Sequence, residues 1–143
     1  MDIYVIMEKK KWSIVMASKM LHTCLRVENL EASIAFYEKA FGFKELRRKD
    51  FPDYQFTIVY LGLEGDDYEL ELTYNYDHGP YVIGDGFAHV ALSSDDLEGL
   101  HAEHKAAGYE VTDMKGLPGN PPNYYFVKDP DGYKVEVIRT KTV

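Results

Sequence analysis

The sequence predicts an α+β protein made of two copies of one βαβββ module, and three observations carry that prediction. The first is an echo between two stretches of turn plus strand. DPDGYKVEVI at 129–138 repeats EGDDYELELT at 64–73, setting Tyr133 on Tyr68, Val135 on Leu70, Glu136 on Glu71 and Val137 on Leu72. The second lies upstream, where AHVALSSDDLE from Ala88 repeats LHTCLRVENLE from Leu21 and sets His89 on His22, Leu92 on Leu25, Leu97 on Leu30 and Glu98 on Glu31. The third is periodicity, which in the first copy switches from the alternation of a strand to the spacing of an amphipathic helix. Each copy therefore opens on a strand histidine and closes on a strand glutamate.

Residues 1–19 precede the first copy and have no counterpart before the second. They read either as an arm packing on a partner subunit or as an extension ahead of a start at Met16 or Met20. A single domain is expected over 20–143, with its modules at about 20–75 and 87–140. Strand 21–27 places Leu21, Thr23, Leu25 and Val27 on one face and His22, Cys24 and Arg26 on the other. Asn29 caps the helix that follows, in which Leu30, Ile34, Tyr37 and Phe41 recur on one side, and Gly42 stops it. Strands are expected over 43–48 and 54–61, separated by Asp50, Pro52 and Asp53, and the acidic turn 64–67 leads into strand 68–74. The glycine-bearing segment 75–86 joins the copies.

In the second copy, strand 87–92 precedes a helix over about 96–107, with Asp95 and Glu98 placed like a capping box and Gly108 as its stop. Strands at 109–112, 124–127 and 133–138 complete the copy. Between the first two lies DMKGLPGNPPN at 113–123, too rich in glycine and proline for a strand and long enough to be a mobile loop.

A length of 143 residues suits one compact domain or two small halves sharing a core, and 45% hydrophobic with 14% aromatic residues argues against disorder. With 24 acidic against 16 basic side chains the formal charge is −8, which opposes contact with nucleic acid or an anionic membrane. One cysteine allows no internal disulfide and offers no zinc-finger spacing. The first stretch is broken by Glu8 and the lysines at 9–11 and has no long apolar run, so neither a signal peptide nor a membrane span is read there, and the cytoplasm is the expected compartment.

Side chains alternate along a strand, so His22 shares a face with Arg26, and Glu71 shares one with Thr73 and Asn75. The imidazoles of His22 and His89 and the carboxylates of Glu71 and Glu136 form a nitrogen–oxygen set without thiolate. Such a set suits divalent Ni, Co, Mn or Zn and leaves octahedral positions for water or substrate oxygens, as a catalytic rather than a closed structural site requires. An ion of this kind polarises a carbonyl and stabilises an enediolate, while a neighbouring carboxylate moves a proton on carbon. Arg26 offers a bidentate contact to a carboxylate-bearing ligand, with Asn75 to orient it; a structural ion pair is its other reading. Lys115 in the loop either meets an anionic substrate or is simply solvated, and Cys24, on the face of His22, reads as a small apolar filler. His78, His101 and His104 lack the symmetry, and the last two read as ordinary helix residues.

LHTCLRVENLEASIAFYEKAFGF, ELTYNY, FAHVAL and FVKDPDGYKVEVI, in that order over about residues 20–140, resemble the signature segments of the lactoylglutathione lyases (glyoxalase I) of compact bacterial type, in the vicinal oxygen chelate superfamily. The resemblance implies paired βαβββ modules forming cupped, curved sheets. It implies metal ligands His22, Glu71, His89 and Glu136, in a homodimer whose sites each take one His/Glu pair from each subunit. The implied reaction isomerises the hemithioacetal of methylglyoxal and glutathione to S-lactoylglutathione. Glu136 is then the base for one stereoisomer, Glu71 serves the other, and Arg26 and Asn75 hold the γ-glutamyl end. The lack of insertions typical of zinc-using eukaryotic forms implies Ni2+ or Co2+, whereas residues 1–19 resemble the longer arm of those forms and keep Zn2+ open. The runner-up is metal-dependent proton transfer of the methylmalonyl-CoA epimerase kind, although those enzymes usually carry glutamine at the position of Glu71. A metal-free small-molecule-binding module of the same fold has no reason to keep four ligands.

Overall fold

Strand 1, β1 (His22–Arg26), runs parallel to β4 (Glu69–Asn75), which pairs antiparallel with β3 (Phe56–Gly62), itself antiparallel to β2 (Lys44–Phe51). This four-stranded sheet has the order β1-β4-β3-β2, with α1 (Leu30–Phe41) between β1 and β2 in the chain. The second half repeats the wiring. β5 (Val90–Ser94) is parallel to β7 (Lys134–Arg139), β6 (Tyr124–Lys128) is antiparallel to β7, and α2 (Leu97–Ala106) follows β5. The result is a mixed α+β molecule with two curved sheets, seen here in a computed structural model that describes residues 18–141. The expectations for residues 1–19 lie, up to residue 17, outside the described residues. No helix among them is long and apolar enough to cross a membrane.

The first helix is capped as its sequence suggests. Asn29 accepts a hydrogen bond from the Ala32 amide at 3.0 Å, and Gly42 ends the helix at φ 76°, a left-handed conformation that a Cβ disfavours. The second differs from expectation: Asp96, not Asp95, is the cap, accepting from the Gly99 amide at 3.0 Å. A Cβ on residue 99 would fall 2.1 Å from the Asp96 carboxylate, so a larger residue there would require that side chain to turn. Glu98 does not reach back to close a box because it pairs with Arg139.

The strand expected over 109–112 is also corrected. Only isolated bridges form there, Val111 to Val127 and Lys115 to Tyr124, which leaves the second sheet with three strands. The Thr112 hydroxyl accepts the Phe126 amide at 2.9 Å, a side chain taking the place of a ladder carbonyl, and the glycines and prolines beyond it prevent the ladder from resuming. Strand ends elsewhere shift by one to three residues from the expected limits. Two ends move by three residues: the second strand runs on from 48 to Phe51, and the fifth starts at Val90 rather than 87, so that His89 sits immediately before it.

Leu25, Val27, Tyr37, Leu61, Leu72, Leu97, Tyr125, Val127, Val135 and Val137 belong to one buried cluster that spans both halves. His104, expected to be an ordinary helix residue, is 2% exposed. Its Nε2 meets the Ala40 carbonyl at 2.7 Å and its Nδ1 the Tyr125 hydroxyl at 2.9 Å, joining the second helix to the first and to β6; burial lowers its pKa. A second tie comes from the DPDG turn. Asp131 accepts the Glu28 amide at 2.9 Å and the Ser33 hydroxyl at 3.2 Å, Tyr37 donates to Asp129 at 2.8 Å, and Tyr133 donates to the Arg26 carbonyl at 2.8 Å. Burial pushes the Asp129 carboxyl up to about 6, against the hydrogen bonds it accepts from Tyr37 and from the Tyr133 and Asp131 amides.

Candidate metal and substrate site

The parallel pairing of β1 with β4 sets Cys24 opposite Glu71, and alternation puts His22 on the same face one repeat earlier. His22 Nε2 lies 2.8 Å from Glu71 Oε2, with the imidazole 35% and the carboxylate 10% exposed. Tyr60, the neighbour of Glu71 on β3, presents its ring edgewise to His22 at 5.7 Å between centroids. The second half builds the same group: His89 Nε2 lies 2.6 Å from Glu136 Oε2, with exposures of 33% and 16%, and Phe126 packs edgewise on His89 at 5.3 Å. Each pair thus offers one imidazole nitrogen and one carboxylate oxygen at a half-open sheet face, with an aromatic ring restraining the histidine. That donor chemistry fits a divalent ion of intermediate hardness.

Neither pair is a complete site within one chain. No group of three or more histidine, cysteine, aspartate or glutamate side chains placed to hold a metal occurs among the described residues. The four side chains that the repeat singles out are therefore brought together as two pairs on two sheets.

Arg26 is exposed on the strand of His22, in register with Thr73, and makes no ion pair with another of the described residues. Asn75 donates to the Tyr81 hydroxyl at 2.9 Å, and Tyr81 stacks on His78 with centroids 4.0 Å apart, so the linking segment folds against the end of β4. Lys115 lines a groove of about 740 Å³ with Ile83, Phe87, His89, Phe126 and Lys134, which places it on the side of the second pair. Its bridge to Tyr124 anchors the loop that carries it.

Three features escaped the residue pattern. Tyr60 and Phe126 occupy matching strand positions beside the two glutamates, a spacing that the repeat itself could have exposed. Arg47 lies 3.9 Å over the Tyr60 ring and grips Glu69 with two hydrogen bonds of 2.6 and 2.9 Å, which no short motif signals. Cys24 is more than filler: its Sγ lies 3.3 Å from Thr73 Oγ1, and partial desolvation, reinforced by the charge of Glu71, raises the thiol pKa. The residue is exposed overall.

A model of the glyoxalase/bleomycin resistance protein/dioxygenase superfamily matches residues 19–137. A lactoylglutathione lyase of Neisseria meningitidis serogroup A is 40% identical over 127 residues, covering 87% of this chain and 92% of the relative. One from Haemophilus influenzae is 39% identical, with 87% and 94% covered. Among solved structures, a trypanothione-dependent glyoxalase I of Leishmania major superposes with a TM-score of 0.76 at 35% identity, covering 85% of this chain and 86% of that one. Glyoxalase I of Zea mays gives 0.78 at 37%, with 87% of this chain matching 46% of the longer plant chain.

Proposed function

The chain belongs to the glyoxalase/bleomycin resistance protein/dioxygenase superfamily and is a lactoylglutathione lyase, and on that premise we propose how its residues divide the work. His22, Glu71, His89 and Glu136 hold the divalent metal, Ni2+ or Co2+ in preference to Zn2+. The observation that carries this assignment is the duplicated His–Glu contact, 2.8 Å in one half and 2.6 Å in the other, with no third ligand beside either among the described residues. Two ligands are too few for a catalytic site, so a second copy of the chain supplies the other pair, and two sites form in a homodimer. The work is done in the cytoplasm.

The reaction moves one hydrogen from the carbon bearing sulfur to the adjacent carbonyl carbon, while the hydroxyl on the first carbon gives its proton to the ketone oxygen; no oxidant or reductant is consumed. The bound ion supplies Lewis-acid stabilisation of the enediolate that this shift requires. Glu136 removes the proton from carbon and returns it to the neighbouring carbon for one hemithioacetal stereoisomer, and Glu71 serves the other. Arg26 holds the γ-glutamyl carboxylate through its planar fork and Asn75 orients it, while Lys115 draws the anionic substrate toward the second pair.

Complementation tests the shared site. His22→Ala and His89→Ala are each inactive alone. When they are mixed and allowed to exchange subunits, a heterodimer regains one intact site, and about a quarter of wild-type thioester formation returns. Continued silence on mixing overturns the shared site. Chelator-stripped wild-type protein supplied separately with Ni2+, Co2+, Mn2+ or Zn2+ then identifies the metal, with recovery expected from Ni2+ or Co2+.

A further inference from the structure

The two halves repeat the ligand pair but not what surrounds the carboxylate. Glu71 turns Oε2 toward His22, and its Oε1 accepts a hydrogen bond from Thr73 Oγ1 at 3.3 Å. Thr73 Oγ1 is in turn 3.3 Å from Cys24 Sγ. A hydroxyl has one proton, so with Thr73 donating to the carboxylate the thiol must donate to Thr73. A one-way chain runs from Cys24 through Thr73 to Glu71.

The backbone dictates this chain, since Cys24 is the cross-strand partner of Glu71 and Thr73 follows Glu71 by two residues on the same face. In the second half the matching positions are Ala91, the partner of Glu136, and Ile138. Neither side chain has a donor. Among the described residues Glu136 makes no side-chain polar contact beyond His89.

We propose that Thr73, supported by Cys24, is a positioning residue that holds Glu71 in its ligand orientation, and that its absence from the second half leaves Glu136 free to swing. This deepens the assignment of the four metal ligands and rests on it. The Thr73–Glu71 link is longer than an ordinary O–H···O contact and the thiol of Cys24 is a weak donor, so the chain orients the carboxylate rather than binding it tightly. The effect expected is the lower end of what outer partners of metal ligands contribute, about tenfold in metal affinity.

The readout is Ni2+ affinity of the chelator-stripped full chain, measured by competition with a metallochromic chelator, with circular dichroism confirming the fold. Thr73→Val weakens Ni2+ binding about tenfold, Thr73→Ser keeps wild-type affinity, and Cys24→Ala weakens it about threefold. Wild-type affinity in Thr73→Val, or an equal loss in Thr73→Ser, overturns the tether. Glu71→Gln separates the two levels of the argument. If it binds Ni2+ as tightly as wild type, or if wild type binds none, the ligand assignment falls and the tether with it. If Glu71→Gln weakens binding and Thr73→Val does not, only the tether falls.

Discussion

In the first half of the molecule a four-stranded sheet carries His22 and Glu71, and hydroxyl and thiol groups stand beside the carboxylate. In the second half a three-stranded sheet carries His89 and Glu136, with alanine and isoleucine at the matching places and an open groove alongside. The turns differ as well. Tyr68, after the first turn, bonds Thr23 of its own sheet at 2.6 Å, whereas Tyr133, after the second, bonds the Arg26 carbonyl in the other half. Duplication kept the histidine–glutamate contact in each half and left its surroundings to diverge. Two carboxylates with the same immediate contact thereby acquire different polar neighbours, and under the proposed assignment Glu71 is the more restrained of the two.

The sharpest way to break this comparison is to exchange each glutamate for its amide. Glu136→Gln is expected to lower kcat about a thousandfold, the scale of a lost general base, with Ni2+ affinity falling far less. Glu71→Gln is expected to show the reverse emphasis, losing Ni2+ affinity more than turnover at saturating metal. Turnover and metal titration on the same preparations check both. Equal losses of kcat in the two variants would erase the division of roles.

How much of this was legible in the sequence follows from what each feature depends on. His22, Glu71, His89 and Glu136 stood out because alternation and a constant repeat are local, one-dimensional properties. The same holds for Asn29 and Gly42, whose roles are set within a turn of helix. The Cys24–Thr73 contact was not legible, since it depends on the register of two strands about fifty residues apart, which the repeat does not specify. His104 read as an ordinary helix residue because helical spacing does not reveal that a backbone carbonyl and a tyrosine hydroxyl wait on the buried side. The strand at 109–112 was overestimated because composition there favours pairing, while the Thr112 hydroxyl and the loop beyond it interrupt the ladder.

A smaller effect tests the tie between the halves. The Asp129 carboxyl is raised from 3.8 to about 6, so the folded state takes up its proton more readily than the unfolded chain. The stability linked to that proton is fully present below 3.8 and is lost as pH rises through about 6. Wild-type protein should therefore gain on the non-titrating Asp129→Asn variant as pH falls from neutral into that window, by of order 2 kcal/mol. Denaturant midpoints across pH measure the gap. A gap that stays constant would show that the hydrogen bonds from Tyr37 and the turn amides cancel the effect of burial.

The smallest expected effects distinguish the two substrate contacts. Arg26 is carried on a paired strand whose end is fixed by Tyr133, so if its planar fork holds the substrate carboxylate as proposed, it does so from an oriented backbone, and Arg26→Ala is expected to raise KM about tenfold with kcat retained. Lys115 lines the groove of the second half on a loop bridged to Tyr124, and an ammonium there would meet an anionic substrate as a point charge. Lys115→Ala is expected to raise KM about threefold at low ionic strength, and the difference from wild type should vanish in high salt while that of Arg26→Ala persists. The salt dependence decides the matter, because a screened charge and a preorganised bidentate contact can give similar KM values in one buffer. A salt-insensitive loss in Lys115→Ala would mean that the loop closes on the substrate and shields the contact, making the second half as restrained in the complex as the first is in the free protein.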